Sequence, residues 1–517
     1  MRIVLFMYFI VVFILIVFIP FLGNVGSFAY PTSYKAVDIV NHGSYQKTSE
    51  YEYITFWIVS LRTEEEYPAP SMILGILKLI SGMHADALPF IPASGVIVFL
   101  FSYLLFKELY SQEVKKLNKY EYVSLLFLIS VFDIITRNTG YYVGRAALGT
   151  AFLMIAVYLL IKISRNDRLS YVLIFLVFFQ ATWLTYYTAT LAVTLSLFML
   201  IVSQKLKFIK RGHKSYLLHI FPFTLAFTAL QPIISALSIS PLAVFSNLVE
   251  AVLARLGLER ETYKFVKVLP VDLFVVVSNN LIGPLLKFIS YSFLLYYFIS
   301  RFISRRLSSE NSFDIFTVIV IGVTLTETLY ATQVSTLPLR FLTMFSVFYL
   351  ALILTVSRLK YLKMFAYLVF ITLLVIHYTG HIYYMWNYGL MFSLERALGI
   401  LTFLLTPAPS YAVFTGDEVL TGYLFFKLHV ASRDLYYFTA FHARTYELLG
   451  PDPQAIIRNV DFFRRNKVEY LLIPVDSRPV CGDAWGYCVI PHKNAVAYIK
   501  TYYNIIYSDK FITAIKV

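Results

Sequence analysis

Charged residues are scarce in this chain. They make up 14% of its 517 residues, whereas an average soluble domain has about 25%. Hydrophobic residues make up 59%, and the mean hydropathy is +0.69. This composition excludes an ordinary soluble domain and makes the lipid bilayer the main solvent of the chain. The net charge of +14 does not indicate nucleic-acid binding, because Lys and Arg lie mainly in alternate short loops.

The sequence also lacks the common nucleotide-binding and hydrolytic motifs. No P-loop, GxSxG, GxGxxG or HExxH pattern occurs in a supporting context. ATP-driven, hydrolase and zinc-protease functions therefore have no support in the sequence.

Long apolar stretches recur along the chain. A helix of about 20 apolar residues crosses a hydrocarbon layer of about 30 Å, and it satisfies its own backbone hydrogen bonds there. About eleven transmembrane helices are predicted, at residues 3–22, 88–107, 121–136, 141–162, 170–186, 188–203, 217–236, 284–303, 314–332, 340–357 and 361–380. The first is interpreted as an uncleaved anchor rather than a signal peptide, because its apolar run exceeds a typical h-region and no clean A-x-A site follows.

The basic residues predict an orientation. Loops such as KISRNDR and RFISRRLSSEN each carry three Lys or Arg residues, whereas the connectors TRNTGYY and TYYT contain no Lys. The positive-inside rule then places the N-terminus in the cytoplasm, and an odd number of spans places the tail outside. We predict a multi-pass cell-membrane protein with a transmembrane domain at 1–380, a large first outer loop at 23–88 and an extracytoplasmic region at 381–517.

The C-terminal tail has a different pattern. Short β-rich runs such as YAVFTG, DLYYFTAF and VEYLLIPV alternate with helix-like segments. This alternation predicts a small soluble, parallel α/β domain at about 408–517, closed by the hairpin-like pair YNIIYSDKFITAIKV. Cys481 and Cys488 are the only cysteines of the chain. On the predicted outer side they favour a local disulfide, with two unpaired thiols as the alternative.

Several ionisable residues lie at predicted outer ends of spans. Arg145 and Glu327 fall inside predicted spans, where such side chains usually face a cavity or a partner. A guanidinium at this depth would hold a lipid phosphate through two hydrogen bonds. The alternative is snorkelling toward headgroups, or pairing with Asp133. Arg137 and Arg340 have the same two interpretations.

Aromatic and acidic residues add further candidates. Tyr141 and Tyr187 lie at outer helix ends, where they fit an aromatic belt or a surface that stacks on sugars. Glu65 lies in the acidic run 64–66, whose oxygens would suit a divalent cation such as Mg²⁺ or Mn²⁺. A solvated acidic turn is the alternative, so the sequence leaves a metal cofactor undecided.

Several segments resemble the GT-C superfamily of membrane glycosyltransferases, which includes protein mannosyltransferases and oligosaccharyltransferase catalytic subunits. They are VDIVNHGSY, EYPAPSMILGILKLISG, GYYVGRAALGTAFLMIAVYLLIK and VDFFRRNKVEYLLIPV. The resemblance implies a GT-C-like fold and transfer of a sugar from a polyprenyl-phosphate-linked donor to a glycan or protein acceptor at the outer face.

The resemblance also implies a catalytic acid in the first outer loop. At the offset from the His-Gly pair that is usual in the family, this chain has Phe28 and Ala29, neither of which is acidic. Asp38, four residues before His42 and therefore on the same helical face, is the nearest acid. We expect Asp38 to be the base, with Glu65 as the alternative. The expected supporting residues are His42, Glu327, Tyr141 and Tyr187, and Arg137, Arg145 and Arg340 would surround the lipid phosphate.

Two other functional classes stay open. A transporter or lipid-linked-glycan flippase would share the many spans but should contain paired broken helices, and NNLIGPLLKF is a single interruption. A non-catalytic GT-C-like structural or assembly subunit is favoured by the missing acid at the usual offset.

Overall fold

The computed structural model describes a subset of the chain, and all structural statements concern that subset. The described residues are 29–44, 68–110, 145–166, 168–206, 216–234, 283–303, 311–331, 394–405, 412–416, 436–440, 470–474, 480–482, 487–489, 493–509 and 512–516, with isolated positions at 10, 345, 348, 372, 423, 424, 426 and 427.

The described part is mainly helical. In chain order the α-helices are α1 (Ala29–His42), α2 (Ala69–Ser81), α3 (Ala93–Leu109), α4 (Arg145–Asn166), α5 (Leu169–Trp183), α6 (Tyr187–Lys205), α7 (Leu217–Ile234), α8 (Gly283–Ile303), α9 (Ser312–Ala331), α10 (Leu394–Leu405) and α11 (Lys493–Tyr502). A 3-10 helix, Ala85–Phe90, precedes α3.

Seven predicted spans correspond to helices α3 to α9. Within the described residues, three helices are long and apolar enough to cross a membrane: Ala85–Leu109, Ala147–Asn166 and Tyr187–Lys205. These helices confirm the prediction of a helical membrane protein. The total of about eleven stays a prediction, because the spans predicted at 3–22, 121–136, 340–357 and 361–380 lie almost entirely outside the described residues.

The boundaries of α3 and α4 differ from the prediction for physical reasons. Pro89 lies within the 3-10 helix and Pro92 directly precedes α3. Because proline disfavours a helical conformation in the preceding residue, the α-helix begins only at Ala93. Helix α4 continues past residue 162 to Asn166. In its last turns, Lys162 and Arg165 bind Glu108 of α3. These contacts offset the cost of placing charges in an apolar helix.

Ion pairs join the helices at one end of the array, here called the Glu108 end. Glu108 of α3 accepts hydrogen bonds of 2.5 Å from both Lys162 and Arg165 of α4. Arg165 also donates to the Ser312 hydroxyl at the start of α9, at 2.9 Å. Two residues after Ser312, Asp314 Oδ2 of α9 accepts a hydrogen bond from Arg301 Nη2 of α8, at 2.7 Å. Lys162 and Arg165 belong to the predicted inner loop KISRNDR, and Arg301 begins the predicted inner loop RFISRRLSSEN.

Helices α6 and α9 pack closely at Gly322. A Cβ atom added to Gly322 would lie only 2.4 Å from Ser196 Cα. The Ser196 hydroxyl donates to the Ile319 carbonyl at 2.9 Å. Small residues and bridging hydroxyl groups are common where membrane helices approach each other, because lipid provides no hydrophobic drive for helix association.

A mixed five-stranded sheet lies in the C-terminal part. Its strands are β1 (Ala412–Gly416), β2 (Tyr436–Ala440), β3 (Tyr470–Pro474), β6 (Ile505–Ser508) and β7 (Ile512–Lys516), in the order β2-β1-β3-β7-β6. Strand β1 is parallel to β2 and β3, and β7 is antiparallel to β3 and β6. The strands predicted in YAVFTG, DLYYFTAF and VEYLLIPV and the final hairpin are present, but the sheet is mixed rather than parallel. The separate soluble domain and its extracytoplasmic location stay predictions.

The two cysteines face each other in a separate hairpin. Strands β4 (Val480–Gly482) and β5 (Tyr487–Val489) pair antiparallel, with Cys481 opposite Cys488. Directly opposed Cα atoms in such a pair are about 4.5–5.5 Å apart, a separation that a disulfide can bridge. No disulfide bond is recorded among the described residues, so the bond stays a prediction.

The sheet is attached to α10. Gly399 leaves room for the β6–β7 turn, because a Cβ atom there would lie 2.6 Å from Asp509 Oδ2. The Tyr507 hydroxyl donates to the same Asp509 oxygen at 2.7 Å, and its ring lies 5.1 Å from that of Phe403. Burial, with Asp509 as a second cause, raises the pKa of Tyr507.

Candidate active site on the first loop

The His-Gly pair of the first loop ends helix α1. Gly43 has a φ of +68°, a left-handed conformation that glycine adopts at little cost. Its amide donates to the Ile39 carbonyl at 2.9 Å, which closes the last turn. His42 is consequently the final helical residue, and its ring folds back along the helix toward Asp38.

One ring nitrogen of His42 contacts two oxygen atoms of Asp38. His42 Nδ1 lies 3.0 Å from Asp38 Oδ1 and 3.1 Å from the Asp38 backbone oxygen. The Asp38 side chain is 11% exposed and that of His42 is 48% exposed. The predicted same-face arrangement is thus present, with the carboxylate inside and the imidazole outside.

Helix α1 also carries polar residues that are buried. Lys35, one turn before Asp38, is buried, and its Nζ lies 5.7 Å from the centre of the Tyr34 ring, at a distance typical of a cation–π contact. Ser33 is fully buried, and its hydroxyl has no hydrogen-bond partner among the described residues. The interior of α1 is therefore unusually polar for a helix packed against apolar neighbours.

Helix α2 holds α1 in place. Gly75 of α2 lies against α1, where an added Cβ atom would be 3.5 Å from the Ala36 carbonyl oxygen and 3.7 Å from the Ile39 side chain. These distances are those of ordinary van der Waals contact, so the two helices are packed directly against each other at this glycine.

The first-loop helices meet the ends of three spans, at what we call the α1 end. The Ala69 amide of α2 donates to the Leu184 carbonyl, just after α5, at 3.4 Å. Two residues further, Tyr186 packs on the first turns of α4, where a Cβ atom added to Gly149 would lie 2.5 Å from Tyr186 Cβ. The predicted outer connector TYYT and the described helices of the first outer loop thus lie together, opposite the Glu108 end.

Three predicted site residues lie at this α1 end. Arg145 is the first residue of α4, although its side chain is outside the described part. Tyr187 is buried at the start of α6. Glu327 is buried in α9, fifteen residues after Ser312, and therefore about 22 Å along the helix from the Glu108 end.

Other predicted residues are not described. Glu65, Arg137, Tyr141 and Arg340 lie outside the described residues, so their roles stay predictions. No group of three or more His, Cys, Asp or Glu side chains that could hold a metal ion occurs within the described ranges. The acidic run 64–66 is not covered by that search.

A contact between the tail and the first loop was not predicted. Lys427 Nζ lies 2.5 Å from Asp86 Oδ1 in the 3-10 helix. Nearby Tyr423 is buried, and burial together with Asp86 raises its pKa to about 12. More than three hundred residues separate the two partners, and no local pattern connects them. The contact places Lys427 at the α1 end.

These features define the class of the protein: a membrane protein with a packed helix array, two short helices of the first loop at one end, and a mixed sheet near the C-terminus. No protein-family model matches the sequence, and no curated protein matches it either.

One of the solved structures that resemble this chain allows its fold to be compared. The chain is similar to the archaeal oligosaccharyltransferase AglB from Archaeoglobus fulgidus, determined in complex with an inhibitory peptide and a dolichol-phosphate. The identity is 12% and the TM-score is 0.51, and the match covers 88% of this chain but only 66% of AglB. At this identity the similarity concerns the fold alone. It supports a GT-C-like fold, in agreement with the resemblance in the sequence.

Proposed function

We propose that this protein is a membrane glycosyltransferase that moves a sugar from a polyprenyl-phosphate-linked donor to a glycan or protein acceptor at the outer face of the membrane. The observation that carries the proposal is the partly exposed Asp38–His42 pair on a first-loop helix. It occurs in a fold similar to that of an oligosaccharyltransferase bound to a dolichol-phosphate and a peptide.

The pair supplies the first requirement of the reaction. An attacking hydroxyl or amide must lose a proton as it bonds to the sugar, and a positioned base provides this step. His42 presents half of its side chain to solvent, while Asp38 is almost enclosed beneath it. An acceptor group can therefore reach the pair without any rearrangement of α1.

The second requirement is a cation beside the departing phosphate. Positively charged groups stabilise charge that develops on a leaving group. Arg145 begins α4 at the α1 end, and Arg137 and Arg340 are proposed to lie beside it around the lipid phosphate. A bound Mg²⁺ or Mn²⁺ at Glu65 is the alternative source of charge. The C-terminal sheet is proposed to help position the acceptor.

The test is transfer in proteoliposomes. Purified protein is reconstituted with a radiolabelled polyprenyl-phosphate-linked sugar, and label is measured in peptide and glycan acceptors. The double variant Asp38→Asn/His42→Gln should lower transfer by about 10²- to 10⁴-fold, the usual contribution of a positioned base. Full activity of this variant would overturn the role of the pair and point to Glu65. A chelator added to parallel samples tests the metal.

The non-catalytic subunit is the second candidate, because Phe28 and Ala29 stand where the family usually has an acid. It predicts that the wild-type protein transfers no label with any donor. A flippase would instead move the labelled lipid between leaflets without glycosylating an acceptor. The same vesicles distinguish these outcomes when the donor is supplied in one leaflet only.

A further inference from the structure

The contacts of His42 decide which of its ring nitrogens carries a proton. Nδ1 lies 3.1 Å from the Asp38 backbone oxygen and 3.0 Å from Asp38 Oδ1. A backbone carbonyl oxygen only accepts hydrogen bonds, in any protonation state of the protein. Nδ1 must therefore be the donor to this backbone oxygen, and Asp38 Oδ1 lies in contact with it at 3.0 Å.

The second ring nitrogen is then left with its lone pair. In a neutral imidazole one nitrogen is a donor and the other an acceptor. Because Nδ1 is the donor, Nε2 is the acceptor, on the side of the ring away from Asp38. His42 is 48% exposed whereas Asp38 is 11% exposed, and one Asp38 oxygen is already engaged by Nδ1. The imidazole, rather than the carboxylate, has the accessible basic atom.

We infer that Nε2 of His42 is the proton acceptor of the transfer reaction and that Asp38 is a positioning residue. This assignment rests on the proposed function and revises the role expected for Asp38 from the sequence. The arrangement is that of a histidine base oriented by a carboxylate on its other nitrogen, as recurs in unrelated hydrolases. Here the backbone oxygen of the same aspartate adds a second hydrogen-bond acceptor.

The reaction balances with these groups. The acceptor hydroxyl or amide gives its proton to His42 Nε2 as its oxygen or nitrogen bonds to the anomeric carbon of the sugar. The bond between that carbon and the phosphate oxygen breaks, and the polyprenyl phosphate departs with the electron pair. The resulting imidazolium is stabilised by the Asp38 carboxylate and by its location in the last turn of α1, where a helix favours positive charge.

Few other charged groups of the described residues lie near the pair. On α1 the neighbouring charged residue is Lys35. Among the described residues of the elements packed against α1, the ionisable groups are Lys78 of α2 and His84 and Asp86 at the 3-10 helix, with Lys427 bound to Asp86. Lys78 donates to the Met83 carbonyl at 3.2 Å and His84 lies 3.4 Å from Asp86. Asp38 is the ionic partner that the structure gives His42.

Single variants separate the two roles. In His42→Gln the amide nitrogen still reaches Asp38, but no basic atom remains. Transfer should therefore fall by about 10²- to 10⁴-fold. In Asp38→Asn the backbone oxygen still holds Nδ1, so the loss should be smaller. His84→Gln is the matched control, since His84 is an exposed histidine that also pairs with an aspartate, and its activity should equal that of the wild type.

Imidazole rescue and nitrogen NMR provide two further measurements. Added imidazole should restore transfer in His42→Ala and have no effect on Asp38→Asn. Solid-state nitrogen NMR of the wild type, with the His42 signals identified by their absence in His42→Gln, should show the proton on Nδ1.

The outcomes distinguish this inference from the proposed function. If the wild type transfers label and His42→Gln stays within twofold of it, His42 is not the base and the inference is overturned alone. A proton found on Nε2 by NMR also overturns it. If the wild type transfers nothing, the proposed function fails and the catalytic assignment fails with it.

Discussion

The carboxylates at the two ends of the helix array have different partners. At the Glu108 end, one carboxylate that is 11% exposed binds two cations from the neighbouring helix. At the α1 end, one carboxylate that is equally enclosed binds a single imidazole that is 48% exposed. The first arrangement uses up its hydrogen-bonding capacity within the protein, whereas the second leaves a basic nitrogen available. We therefore expect the stability of the fold to depend on the Glu108 end and the transfer reaction to depend on the α1 end.

The largest effect on stability is expected at Glu108. Replacing it with Gln leaves Lys162 and Arg165 without their carboxylate partner. Removing one member of an enclosed ion pair costs about 3 kcal/mol or more. Denaturant unfolding in detergent micelles would measure the loss. Lys107→Gln, at an exposed neighbouring position, is the control and should unfold like the wild type. Equal stability of Glu108→Gln would contradict the structural role of this network.

A second, smaller effect is expected between the two ends, at Gly322. A Cβ atom there would lie 2.4 Å from Ser196 Cα, so Gly322→Ala forces α6 and α9 apart. Overpacking of this kind costs about 1–3 kcal/mol. The melting temperature should fall, and Ser196→Ala, which removes only a hydrogen bond to Ile319, should have the smaller effect. An unchanged melting temperature of Gly322→Ala would show that the two helices are not in close contact.

The tail contact at the α1 end should respond to alkaline pH. The pKa of Tyr423 is raised to about 12, first by burial and then by Asp86, whereas a free tyrosine titrates near 10. The neutral phenol therefore contributes stability that is present below about pH 10 and is lost as pH rises toward 12. Ultraviolet titration of the phenolate would measure this, with Tyr423→Phe as control. Asp86→Asn should lower the pKa of Tyr423 only partly, because burial is the larger cause.

The smallest effect on stability is expected from the Asp38–His42 pair. An ion pair with an exposed partner contributes at most about 1 kcal/mol, and the His42 side chain is half exposed. Asp38→Asn/His42→Gln should therefore unfold at nearly the wild-type temperature while losing transfer. If this variant unfolded as readily as Glu108→Gln, its lost activity would reflect misfolding, and the contrast between the two ends would fail.

Much of the fold follows from local patterns. Apolar runs predicted α3 to α9 within a few residues, except where Pro92 delayed α3 and where Glu108 allowed α4 to continue. Short β-rich runs predicted the five strands of the mixed sheet, but not the β4–β5 hairpin that carries the cysteines. The four-residue spacing of Asp38 and His42 predicted their shared face. Each of these depends on neighbours in the sequence, which the sequence displays directly.

The sequence by itself determined that the chain is a helical membrane protein, where helices α3 to α9 and the five strands of the mixed sheet lie, and that Asp38 and His42 share one helical face. The tertiary structure decided which groups meet: Glu108 with Arg165, Lys427 with Asp86, and Nδ1 rather than Nε2 of His42 with Asp38. The physical reason is the distance along the chain over which each effect acts. Periodicity and charge act over a few residues, whereas partners that are distant in the chain, and the atoms left free for chemistry, are fixed only by packing.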